Sequence, residues 1–417
     1  MKLRIITIFT LLFATLVFAD NILIFMDENQ TDHLRAYGVA YWCLQRGYEV
    51  EWLLNYRGGS FLTPARPDIE KICKTRGVAY TIVSNTEVAQ IYNTIENSNM
   101  EAILLEKAPK IGVYVPKTHE PWDDAVRLAL EYAKIPYETV WDPEVLAGEL
   151  YKFDWLHLHH EDFTGQYGKF YASYRNALWY QRDVALNQET ARKLGFAKVP
   201  EMKKAVARKI KEYIANGGFV FAMCSATDSY DIALAAEDVD IVDVPFDGDP
   251  PDPDCQSKLD FSKTLAFTNF KLITNPMIYE FSDIDVHPDK FGTQKGTRYF
   301  RLFDFSAKYD PVPTMLVQDH TAVIPDFLGQ TTAFALDKIK KNVVILAKYD
   351  DIKAAKYIHG NFGKGTFTFL GGHDPEDYAH FIGDPPTDLS LHKNSPGYRL
   401  ILNNVLFPAA QKKHKKT

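Results

Sequence analysis

The stretch Gly218-Phe-Val-Phe-Ala-Met-Cys-Ser-Ala-Thr-Asp228 is an unbroken apolar run that ends on a cysteine and passes at once into small polar residues. An apolar run without alternation reads as a strand buried on both faces, as in the middle of a parallel sheet. Ser225, Thr227 and Asp228 are residues that open helices, so Ser225–Ala236 reads as the next helix. Cys224 then stands at the turn from a central strand into a helix. Backbone N–H groups and the dipole at such a helix start stabilise a thiolate and can receive an oxyanion. That is the logic of a nucleophile elbow. Two plainer readings stand beside it: a buried cysteine closing an apolar strand, and a disulfide from Cys224 to Cys255.

Working back from this run, Glu201–Asn216 reads as a helix, with Val206, Ile210, Tyr213 and Ile214 on one face and Gly217-Gly218 as its stop. Phe153–His160, Tyr137–Trp141 and Lys110–Val115 read as strands, with a helix over Trp122–Lys134 and a long helical region over Lys169–Arg192. Asn21–Met26, Glu49–Leu54 and Ala79–Val83 are further strands, alternating with helices over Thr31–Arg46, Asp68–Arg76 and Thr86–Asn97. This βαβαβα rhythm predicts a parallel sheet in the first hundred residues as well. Working forward, the proline-rich acidic loop Asp243–Asp254 opens a stretch of loops and short strands to about residue 330. Asn342–Ala347 and Gly363–Leu370 read as a hairpin or two adjacent strands, and Tyr398–Leu406 as a closing helix.

The whole chain has 417 residues, 46% hydrophobic and 24% charged, with a net charge of −7. That excludes a disordered or collagen-like chain and leaves ample length for a large core. The acidic balance argues against nucleic acid as a partner. The basic block Lys412–Lys416 is a solvated end. Met1-Lys-Leu-Arg4, the apolar run Ile5–Ala19 and the small residues before Asp20 have the layout of a signal peptide cut after Ala19. No later run reaches the ~18 apolar residues that a membrane span needs. The expectation is a periplasmic or secreted protein without a membrane span. Four cysteines, Cys43, Cys73, Cys224 and Cys255, are too few for a disulfide framework in a chain this long.

Two further motifs carry chemistry. In Leu370-Gly-Gly-His-Asp-Pro-Glu-Asp377 a strand ends, two glycines let the chain turn, and His373 is presented with carboxylates behind it. A histidine beside a carboxylate is what a thiol needs for deprotonation. A loop histidine capped by Asp374 is the simpler reading. In His157-Leu-His-His-Glu-Asp162, His157 and His159 share one face of a strand, and with Glu161 or Asp162 they would suit Zn²⁺ with a position left open, a structural or substrate-contact role being the alternative. His160, Glu161 and Asp162 would line the same sheet edge as Cys224 and contact substrate. Arg57, in Asn55-Tyr-Arg-Gly-Gly59, would suit a carboxylate or phosphate. Asp283-Ile-Asp-Val-His287 could present carboxylates on one face, though a solvated edge explains it as well. A Walker-type loop and a dinucleotide fingerprint are both missing.

The order of elements around Cys224, with the late Gly-Gly-His loop, resembles the class I glutamine amidotransferase-like superfamily over about residues 108–410. The resemblance implies a flavodoxin-like three-layer α/β sandwich, with Cys224 as nucleophile, His373 as base and an acid just after it. Ala222 and Ala226 stand where the family has glycines at the elbow, and the acid falls three residues after the histidine, at Glu376. Many members of that superfamily serve as binding domains. The segments Gln30–Tyr41 and Trp52–Phe61 are similar to exported bacterial proteins often labelled asparagine synthetase B. Synthetases of that class begin with a processed cysteine and carry an ATP pyrophosphatase loop, and neither is read here.

The sequence therefore predicts a signal peptide (1–19), an N-terminal α/β module (20–107), an amidotransferase-like domain (108–410) with an irregular insertion at about 243–330, and a basic tail (411–417). The expected activity is that of a hydrolase or amidotransferase using Cys224, His373 and Glu376. The alternatives are a silent binding domain for a small-molecule, carbohydrate or peptide-like ligand, and a metal-dependent hydrolase.

Overall fold

The computed structural model describes residues 20–116, 124–286, 298–310, 312–379 and 381–411. The expected signal peptide, Trp122, His287 and the Lys412–Lys416 block lie outside the described residues. The fold is mixed α/β and contains two sheets.

The smaller sheet runs Thr81–Val83, Asn21–Ile24, Ser60–Pro64, Val50–Leu54, Glu101–Leu105, and every neighbouring pair is antiparallel. This corrects the expected parallel rhythm. Two strands had no clear sequence signal, Ser60–Pro64 and Glu101–Leu105. The Asn55–Gly59 segment is the tight turn of a hairpin, with Asn55 and Arg57 at φ 62° and 45°. Gly58, at φ 76°, passes so close to Met26 that a Cβ would lie 2.3 Å from its carbonyl oxygen.

The larger sheet positions the site. Five strands are parallel, in the order Gly365–Leu370, Phe219–Met223, Trp155–Leu158, Ile111–Tyr114, Glu138–Val140. Antiparallel strands extend it beyond Gly365–Leu370: Ala354–Phe362, then Val344–Lys348, Tyr299–Leu302 and Val323–Pro325, with Phe334–Ala335 also paired to Ala354–Phe362. The segments expected as a hairpin, 342–347 and 363–370, are thus not adjacent, because Ala354–Phe362 lies between them. Among the described residues, the region about 243–330 contributes the edge strand Val323–Pro325, its neighbour Tyr299–Leu302, and otherwise mostly loops.

Alternation along the central strands divides the core. Trp155, Phe219, Phe221 and Met223 face the helices Ala125–Ala133 and Pro396–Leu406, with the helix His33–Gln45 and the smaller sheet behind them. Leu156, Leu158, Val220 and Ala222 face the helices Val199–Ala215 and Ala226–Ala235. Helices therefore cover both faces of the parallel strands, as continuous apolar strands require. Because residues 20–107 share the first of these cores with Leu130 and Leu402, the N-terminal module is packed into the fold. No helix among the described residues is long and apolar enough to cross a membrane.

Candidate active site

The C-terminal ends of the parallel strands converge. Asp124 follows Ile111–Tyr114 and caps the helix Ala125–Ala133; His159 and His160 follow Trp155–Leu158; Cys224 follows Phe219–Met223; His373 follows Gly365–Leu370. In open α/β sheets ligands bind at this edge.

Cys224 has φ 52°, a left-handed conformation that costs a non-glycine residue ~1–2 kcal/mol. The strained turn places Sγ under the segment Leu328–Thr331, where the N–H of Gln330 donates to it at 3.3 Å. Burial pushes the Cys224 thiol up, and the N–H groups of Gln330, Thr331 and Ser225 offset only part of this. At neutral pH the group rests as a thiol, so its use as a nucleophile requires a base.

His373 shares a cavity of about 410 Å³ with Cys224, His160, Lys169, Tyr279 and Gln330. Its Nδ1 lies 3.2 Å from His159 Nε2, and His159 Nδ1 lies 2.9 Å from Asp124 Oδ1. Burial alone would push the Asp124 carboxyl up, but His157 and His159 hold it well below the ordinary carboxylate range. A carboxylate only accepts, so His159 donates from Nδ1 to Asp124, and a neutral His159 would offer its Nε2 lone pair to His373. In that tautomer His373 donates from Nδ1.

The expected residues fall into three groups. Cys224, His373 and His160 line the one cavity. The Glu376 carboxylate pairs with His392 Nδ1 at 2.8 Å, while His159 and His160 lie against His373. Arg57 pairs with Asp27 at 2.6 Å in the hairpin turn of the smaller sheet and does not line the cavity. Glu161 borders a neighbouring crevice with Asp183 and Lys203, where burial pushes it up to about 8.

The expected metal set is also regrouped. His157 and His159 do share a face, but the carboxylate beside both is Asp124. Asp162 is spent on its own loop, accepting the N–H groups of Thr164, Gln166 and Gly168 at 2.7, 2.8 and 3.0 Å. Two triads among the described residues have metal-ligand spacing here: His159, His160 and His373, and Asp124, His157 and His159. All four cysteines are free thiols, so the Cys224–Cys255 disulfide does not form.

Sequence reasoning missed Asp124 and Gln330. Asp124 carried one usable signal, an acid at the start of the helix after the first parallel strand. Gln330 carried none. A larger cavity, about 880 Å³, opens at the opposite sheet edge beside Phe219 and Lys364 and contains none of these groups.

No protein-family model matches the chain, and no curated protein matches it. Among solved structures, Cytoplasmic Protein STM3548 from Salmonella typhimurium aligns with a TM-score of 0.36 and 11% identity, over 73% of this chain and 100% of that one. Cytoplasmic Protein STM1381 from Salmonella typhimurium LT2 aligns at 0.36 and 11%, over 72% and 100%. A beta-galactosidase from Bacillus circulans sp. alkalophilus aligns at 0.25 and 9%, over 65% of this chain and 29% of that one. At such scores these alignments carry no argument about fold or chemistry.

Proposed function

We propose that the chain is an exported, flavodoxin-like and class I glutamine amidotransferase-like protein, and that its cavity performs cysteine-dependent hydrolysis or acyl transfer on a small amide or peptide-like substrate. Numbered along the chain, the parallel strands lie in the order 2-1-3-4-5, which supports the flavodoxin-like reading. The observation that carries the activity is a thiol on a strained elbow in one cavity with a histidine that leads to His159 and Asp124.

In this reading His373 Nε2 takes the Cys224 proton as Sγ attacks the carbonyl carbon. The carbonyl oxygen becomes an oxyanion, received by backbone N–H groups at the elbow and the Gln330 segment. The C–N bond breaks, the amine leaves with the proton from His373, and a thioester remains. Water, or an amine acceptor, attacks the thioester carbonyl as it gives His373 a proton; the C–S bond breaks, the acyl group leaves, and Cys224 takes the proton back from His373. Asp124 stays ionised and holds His159, and through it His373, in the working tautomer.

The test is alkylation of the native protein by iodoacetamide at neutral pH. Cys224 should react while buried Cys43 and Cys73 do not, and His373→Gln should slow Cys224 by on the order of 10²-fold, the size of a general-base contribution. Partly exposed Cys255 serves as the internal reference. Equal rates in wild type and His373→Gln, with Cys255 unchanged, refute the reading. The raised thiol favours a second reading, a silent cavity binding a carbohydrate or peptide-like ligand; a native Cys224 as inert as Cys43 would select it.

A further inference from the structure

We propose that His159, His160 and His373 form a binding site for a divalent transition ion of the Zn²⁺ class, opening on the cavity that holds Cys224. One ring nitrogen from each histidine lies within 4.8 Å of the other two. His159 Nε2 and His373 Nδ1 are 3.2 Å apart. Two imidazole nitrogens bound at ~2.0–2.1 Å in a tetrahedral zinc site stand about 3.3–3.4 Å apart, so this pair needs almost no movement to chelate. Three neutral nitrogens favour zinc and its neighbours over Mg²⁺ or Ca²⁺, which prefer oxygen.

The surroundings have the form that metal-binding histidines require. His159 hands its other ring nitrogen to Asp124 at 2.9 Å, the carboxylate–histidine arrangement that fixes a ligand's tautomer and raises its basicity. Asp124 is itself locked by the N–H groups of Val126 and Arg127 at 2.7 and 3.2 Å. His160 and His373 also line the cavity of about 410 Å³ that holds Cys224.

Occupancy has a consequence that rests on the thiol reading above. An ion held by His373 occupies the histidine that shares the cavity with Cys224, so Zn²⁺ should slow Cys224 alkylation.

The experiment uses the full chain stripped with chelator. Zn²⁺ is titrated calorimetrically, Co²⁺ is followed through the visible bands of a tetrahedral site, and iodoacetamide labelling of Cys224 is timed with and without Zn²⁺. The expected result is one ion per chain, Co²⁺ bands, and an affinity that falls at least 10–100-fold in His160→Gln and also in Asp124→Asn, the cost of removing an outer-shell partner. Thermal stabilisation of the wild type by Zn²⁺ gives a readout that needs no variant to fold. No heat and no Co²⁺ bands with the wild type overturn the proposal, as does binding unchanged in His159→Gln, His160→Gln and His373→Gln. Metal binding together with a Cys224 that is inert without Zn²⁺ sustains the site and removes only the thiol reading.

Discussion

Replacing Lys356 by methionine tests what holds Gln330 over the thiol. Lys356 lies in the strand Ala354–Phe362, is fully buried, and sits 2.9 Å from the equally buried carboxylate of Asp326. Its Nζ also donates to the carbonyls of Phe327 and Thr332 at 2.5 and 3.1 Å, so one cation ties both ends of the segment that passes over Cys224. Burial pushes the Lys356 ammonium down in pKa while Asp326 pulls it back up. Methionine keeps most of the apolar stem and removes the charge. Asp326 would retain the Phe327 N–H and the Tyr349 hydroxyl, both at 2.9 Å, but as a buried carboxylate without its cation. Removing one partner of a buried pair costs ~3–5 kcal/mol, whereas replacing both by uncharged groups of similar volume is often close to neutral. The single variant Lys356→Met should therefore lose ~3–5 kcal/mol in urea unfolding at neutral pH. The double variant Lys356→Met with Asp326→Leu should recover most of that loss. In both, Cys224 alkylation should change relative to Cys255, because the carbonyl anchors of the segment are gone. A double variant as unstable as the single one, or a single variant within ~1 kcal/mol of wild type, would refute the idea that this pair is what fixes the segment.

Other expectations are narrower. Asp228 is buried beside the elbow, its carboxyl pushed up to about 8 by burial, with the Thr331 hydroxyl as its partner at 2.8 Å. Between the unfolded pKa of ~3.9 and about 8 the unfolded chain releases this proton while the folded chain keeps it, so the group costs stability that grows with pH through that window. Asp228→Asn should thus be more stabilising at pH 8 than at pH 5, by about 1–4 kcal/mol in urea unfolding, and an equal effect at both would count against the shift. Glu376→Gln should leave the Cys224 alkylation rate unchanged and alter stability by at most ~1 kcal/mol, because its pair with His392 is partly exposed; a large fall in rate would restore Glu376 as the orienting acid. Gly329→Ala would put a Cβ 2.9 Å from the backbone of Gly372 and His373, so it should cost ~1–3 kcal/mol and slow Cys224 alkylation, and a neutral result would show that the two loops can separate.

The parallel half of the molecule was legible because its signals are local. A continuous apolar strand such as Phe219–Met223 and a helix with spaced apolar residues such as Val199–Ala215 announce themselves within a few residues. The strand Ala354–Phe362 was hidden by Lys356, His359 and Gly360, which break the apolar pattern. The charge that makes Lys356 tolerable there belongs to Asp326, thirty positions away, and no window along the chain sees that pair. The antiparallel N-terminal sheet was hidden in the same way, because its reversal depends on left-handed Asn55 and Arg57, residues that do not demand such a φ. The site repeats the lesson. Cys224 and His373 were readable as turn residues after strands. The acid was sought next to His373 in the sequence, and Glu376 was the natural choice, yet His392 claims it in space. The carboxylate that meets His159 is an N-cap, chosen locally to satisfy Val126 and Arg127, and only the pairing of the first parallel strand with the third brings it beside His159. Topology therefore limits the search more than proximity does. Once five parallel strands are known, the C-terminal ends of those strands are where an acid is to be sought, and Asp124, at the start of the helix after the first, was a position to test.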